Sequence, residues 1–67
     1  PIPRYEQYLK KSDLIGFLRD SKSYLKKYPE AIESPRLVLD YLMVAKAARD
    51  LNSINDATSK LLFKSRS

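Results

Sequence analysis

The sequence predicts an all-α fold, a small bundle of three to four helices with a long C-terminal helix, its core completed by oligomerisation. Three observations predict it. After Pro35 the last 32 residues, 36–67, contain neither Pro nor Gly, so both strong helix breakers are missing from half of the chain. No stretch alternates polar and apolar residues as a half-buried strand would. Apolar residues recur instead at spacings of three and four, which lines them up on one face of a helix.

The first helix is expected over Arg4–Lys11, where Tyr5, Tyr8 and Leu9 make a short apolar stripe. It is too short to hold unless it docks. The second is expected from Asp13 to Tyr28, with Ser12 as N-cap and Asp13 near the positive helix end. Leu14, Phe17, Leu18, Leu25 and Tyr28 form its apolar face, interrupted by Ser21, and Lys26 and Lys27 suit its negative C-terminal end. Pro29 biases Tyr28 out of the helix. Residues 29–34 then read as a linker in which Glu30–Glu33 can make one turn anchored by Ile32.

Ser34-Pro35 is a strong start signal, Ser at N-cap and Pro at N1. Two readings follow. One helix runs from Pro35 to Phe63, or it breaks near Asn52-Ser53 and a shorter fourth helix carries Ala57, Leu61 and Leu62. Asn52, Ser53 and Asn55 compete for backbone hydrogen bonds, which favours a break. The continuous helix is preferred because Leu37, Tyr41, Val44, Ala48, Leu51, Asn55, Thr58 and Leu62 keep a 4-3-4-3-4-3-4 heptad phase through the doubtful stretch. Asn55 then reads either as a break or solvated cap, or as a buried Asn that fixes register with a symmetry mate.

On a wheel of ~100° per residue, Leu37, Val38, Tyr41, Leu42, Val44, Ala45, Ala48 and Leu51 cover half of the third helix. Leu39 and Met43 fall outside that half, which leaves the helix apolar almost all round. Two short partner helices cannot cover so much surface, and apolar patches on small domains mark interfaces. The expected protein interface is therefore Leu37, Leu39, Tyr41, Leu42, Met43, Val44, Ala48, Leu51, Asn55 and Leu62. Its partner would be a second copy or another helix. The alternative is a compact bundle with this helix at its centre.

Composition removes whole classes of function. The 67 residues include no Cys and no His, so a disulfide framework, a zinc knuckle and the commonest general base are all missing. The one glycine, Gly16, cannot make a phosphate-cradling loop. The acidic pairs Asp13/Asp20 and Glu30/Glu33 have no companion base or metal-ligand spacing. No enzyme activity, cofactor or small-molecule ligand is expected. No apolar run approaches the ~20 residues that span a bilayer, and no helix is built to lie on one.

The net charge of +5 invites a nucleic-acid reading, the alternative to protein interaction. It is spread out: residues 1–33 hold seven basic and five acidic groups, residues 34–67 six and three. One ridge stands out, Arg19, Lys22, Lys26 and Lys27 on the second helix. It would give weak, salt-sensitive contact with phosphates and no base readout. The whole chain reads as a single domain, with residues 1–3 and 64–67 as disordered ends. A first residue that is Pro rather than Met suggests a piece of a larger protein, and the lack of Cys fits an intracellular one.

The run Asp13-Leu14-Ile15-Gly16-Phe17-Leu18, the Tyr28-Pro29 break, the apolar helix from Leu37 to Ala48 and the basic serine tail together resemble the helical C-terminal domain of the yeast Rap-interacting telomere-length regulator, a large scaffold protein. The resemblance spans the chain without matching a motif position by position, so no functional residue is carried over. It implies a self-association module that multimerises a chromosome-bound, and hence nuclear, scaffold.

Overall fold

A computed structural model describes residues 2–30 and 35–66, with side chains at 2–30 and 36–62. The described residues form four helices and no strand: α1 (Tyr5–Lys10), α2 (Leu14–Lys27), α3 (Pro35–Ala48) and α4 (Leu51–Arg66). Each packs mainly on its neighbour in sequence, α1 on α2, α2 on α3 and α3 on α4. The expected Ser34 cap and the Ile32 anchor lie outside the described residues.

The continuous third helix is corrected. It ends at Ala48, and a new helix starts at Leu51, earlier than the Asn52-Ser53 break considered from sequence. Arg49 takes a left-handed conformation, φ 55°. Its N–H donates to the Lys46 carbonyl, and the Asp50 N–H donates to that of Ala45. These two bonds are a Schellman closure, which normally uses glycine at the left-handed position. Asp50 then caps α4: it accepts from the Ser53 hydroxyl at 3.0 Å and from the Ser53 N–H at 3.4 Å.

The α1–α2 joint is built the same way. Ser12 is left-handed, φ 53°, with Ser12 N–H on the Leu9 carbonyl and Asp13 N–H on that of Tyr8. The N-cap of α2 is thus Asp13, not Ser12, and its carboxylate accepts from the Gly16 N–H at 3.0 Å. Gly16 makes room for that cap, because a Cβ there would stand 2.2 Å from an Asp13 carboxylate oxygen.

The core is Phe17, Leu18 and Leu25 of α2, Leu37, Val38, Tyr41, Val44 and Ala45 of α3, and Ala57 of α4. α1 contributes no fully buried residue. It docks by setting Tyr5 and Tyr8 edge-on against Phe17, at ring-centroid distances of 6.0 and 5.4 Å. Such edge-to-face pairs add to burial, which is how a six-residue helix holds. Two expectations about α2 change. Tyr28 is exposed and packs on Tyr24 rather than on the core. Ser21 does not interrupt the buried face but belongs to it, fully buried and with no hydrogen-bond partner for its hydroxyl among the described residues.

At the C-terminal end α4 continues to Arg66. Ile2 and Pro3 line two surface cavities beside α1.

Candidate protein interface

The turn at Arg49-Asp50 cuts the expected seam in two. In its first half, Leu37, Tyr41 and Val44 point into this chain's own core, each no more than 3% exposed. They are unavailable to a partner. In the second half, Leu51, Asn55, Thr58 and Leu62 share the outward face of α4, all exposed. Ala48, between the halves, is exposed at the end of α3. Asn55 is therefore neither a helix break nor buried within the chain, and the break falls five residues before it. The heptad phase was real, but reversing the chain puts one half inside and the other outside.

What stays outward on α3 is Leu39 and Met43, 53% and 46% exposed. Four residues apart, they stand one above the other on one face. Their wheel positions lie opposite Leu37, Tyr41 and Val44. Leu42 flanks them half-buried and packs against the core, and Lys46 and Ala47 are exposed on the next turn. Of the ten residues expected at an interface, six are exposed: Leu39, Met43, Ala48, Leu51, Asn55 and Leu62. Only Leu39 and Met43 place two large apolar side chains one turn apart.

Two hydrogen-bonded clusters hold the helices that present this face. The Tyr41 hydroxyl donates to Asp56 at 2.7 Å, and Lys60 reaches the other oxygen of Asp56 at 2.6 Å. Burial, and then the bond to Asp56, push the Tyr41 hydroxyl well above its usual range. Burial alone would raise the Asp56 carboxyl, but the bonds from Lys60 and Tyr41 outweigh it and hold it low. The same arrangement joins α1 to α2, where Tyr8 donates to Asp20 at 2.6 Å and Arg19 to its other oxygen at 3.1 Å. The bond from Tyr8, and then that from Arg19, hold the Asp20 carboxyl low. Arg36 ties α1 to α3 through Glu6 at 3.2 Å and pairs with Asp40 at 3.1 Å.

The basic ridge is partly engaged within the chain. Arg19 pairs with Asp20. Lys22 is half-buried and adds a smaller pull to the bonds from Ser53 that hold the Asp50 carboxyl low and to those from Lys60 and Tyr41 that hold Asp56 low. Lys26 and Lys27 are exposed. Among the described residues no group of three or more acidic side chains could hold a metal ion, and no described helix is long and apolar enough to cross a membrane.

The fold and surface define a small four-helix bundle with one outward apolar step on α3. No family model matches the chain, and neither a curated protein nor a solved structure matches it.

Proposed function

We propose that this chain is a non-catalytic protein-interaction module that self-associates through the outward face of α3. The reading extends to a larger intracellular scaffold, associated with chromosomes as the sequence resemblance implies. The observation that carries it is the exposure of Leu39 and Met43, one turn apart and opposite the core.

The magnitudes make it a weak contact. Both side chains are already about half covered, so burying the rest contributes on the order of 1 kcal/mol each. Four such side chains in a symmetric pair give roughly 4 kcal/mol, against an association cost of about 4–15 kcal/mol. The net is zero or unfavourable, so a pair held by this step alone would not form even at millimolar concentration. Self-association of the isolated chain thus needs more apolar surface than this step, and Leu51 and Leu62 are the other large apolar side chains exposed among the expected interface residues.

Light scattering or sedimentation over a concentration series tests the reading. The wild-type mass should rise with concentration, and Leu39→Lys should hold it at the monomer value while leaving helix content unchanged. A wild type that stays monomeric to millimolar concentration, or a Leu39→Lys variant that associates equally well, sinks it. Leu42→Arg and Val44→Arg should abolish both assembly and folding. Phosphate-backbone binding has less behind it, since Arg19 and Lys22 face carboxylates. Salt-dependent DNA binding lost on charge reversal at Lys26 and Lys27 would favour it instead.

A further inference from the structure

Between the N-terminal arm, α1 and the later turns of α2 lies a groove of about 460 Å³. That falls within the range of about 300–1,000 Å³ typical of binding sites. It shares no lining residue with the outward face of α3. Three of its nine lining residues are tyrosines. Tyr8 comes from α1, Tyr24 and Tyr28 come from α2 and its cap, and Pro3 of the arm lines it too. The Tyr24 and Tyr28 rings sit 4.8 Å apart at 44°, a continuous aromatic step. Neither hydroxyl has a hydrogen-bond partner among the described residues, whereas that of Tyr8 is held by Asp20.

The groove contains two charged groups, and they are not equally available. Asp20 already uses one carboxylate oxygen for Tyr8 and the other for Arg19. Lys27 is exposed, makes no ion pair among the described residues, and stands 5.5 Å from the Tyr28 ring centroid. A cationic guest is therefore disfavoured. The chain's own ammonium is already at the ring, the carboxylate is neutralised, and the net charge is +5. The groove instead offers aromatic faces, phenol donors and an exposed cation with no carboxylate partner among the described residues.

We propose that this groove binds an extended, proline-containing segment of another protein that carries an acidic residue. Pyrrolidine rings stack on tyrosine faces, and a proline-rich segment is already extended with its carbonyls free to accept from phenols. The acidic residue pairs with Lys27. The groove's own lining includes a piece of the same chemistry: Pro3, followed by Arg4 in extended conformation, φ −117° and ψ 123°.

The test is an amide-resolved NMR titration of the full chain with a ten-residue peptide of alternating Pro and Glu. Two controls replace every Pro by Ala or every Glu by Lys. The expected result is a set of shifts centred on Tyr8, Tyr24, Lys27 and Tyr28, with at least tenfold weaker binding of both controls. Tyr28→Ala should weaken binding about tenfold. Lys27→Glu, an exposed change that spares the fold, should weaken the Glu peptide and strengthen the Lys one, and it decides the matter if Tyr28→Ala disturbs α2. Equal binding of the Ala control, preference for the Lys peptide by the wild type, shifts centred on Leu39 and Met43, or no shift at millimolar peptide would each overturn the proposal.

Discussion

The Tyr41 hydroxyl donates to the Asp56 carboxylate at 2.7 Å, from the middle of α3 to the middle of α4. It is the polar tie across the joint that cuts the heptad seam, made by a ring fully buried in the core. A hydrogen bond to a charged acceptor contributes about 1.5–3 kcal/mol. Tyr41→Phe keeps the ring and removes the bond, so it should lower the unfolding free energy by about 1–2 kcal/mol in urea denaturation followed by circular dichroism. The loss should shrink when Asp56 is already Asn. A Tyr41→Phe variant as stable as the wild type in both backgrounds would show that the bond contributes nothing net.

Stability should fall at both ends of the pH scale. The Asp20, Asp50 and Asp56 carboxyls are all held below their usual value of 3.8 in the folded chain. The stability they add is present above that value and is lost as pH falls below it through the depressed folded values. Tyr8 and Tyr41 behave oppositely. Their hydroxyls are raised above the usual 10.0, so their contribution is complete below that value and is lost as pH rises beyond it. Thermal melts should thus show a plateau across neutral pH with declines below about pH 4 and above about pH 10. In Tyr41→Phe the alkaline decline should be smaller.

Two left-handed residues are places to gain stability. Holding a non-glycine residue there costs about 1–2 kcal/mol, offset by the ~0.4–1 kcal/mol that glycine loses through its freer unfolded chain. Arg49→Gly and Ser12→Gly should each stabilise by up to about 1 kcal/mol, and a raised melting temperature would register it. Arg49→Val should destabilise. If both Gly variants melt lower than the wild type, the helices do not close at these positions.

The two buried serines should respond in opposite ways. The Ser21 hydroxyl has no partner among the described residues, and burying such a group carries a penalty of about 1–3 kcal/mol. Ser21→Ala should leave the protein equally or more stable. Ser53 gives its hydroxyl to Asp50 at the start of α4. Ser53→Ala should cost about 0.5–1.5 kcal/mol, read in the same denaturation experiment.

Much of this molecule was legible from spacing and composition. Pro3, Pro29 and Pro35 bracket the helices, Phe17, Leu18 and Leu25 announce the buried face of α2, and a helical wheel alone puts Leu39 and Met43 outside. The α3–α4 joint was not legible, because the residue at its left-handed position is Arg49 rather than glycine, and the heptad phase runs through it unbroken. A usable signal was present. Ser12-Asp13-Leu14 and Arg49-Asp50-Leu51 are parallel: at both, an Asp that ends one helix's closure caps the next. Burial of Ser21 and the tyrosine groove depend on how helices meet, which no single helix encodes.

The tyrosine–aspartate ties span only 12 and 15 residues of chain, and every principal helix contact is between neighbours in sequence. Little loop has to be closed before contacts form, and helical domains with such local wiring fold in microseconds to milliseconds. A ribosome adding about 5–20 residues per second takes roughly 50–200 milliseconds over each one. Once its own residues are clear of the ribosome, this bundle would be finished before another residue is added. Its apolar core would then be open only briefly while the chain is being made.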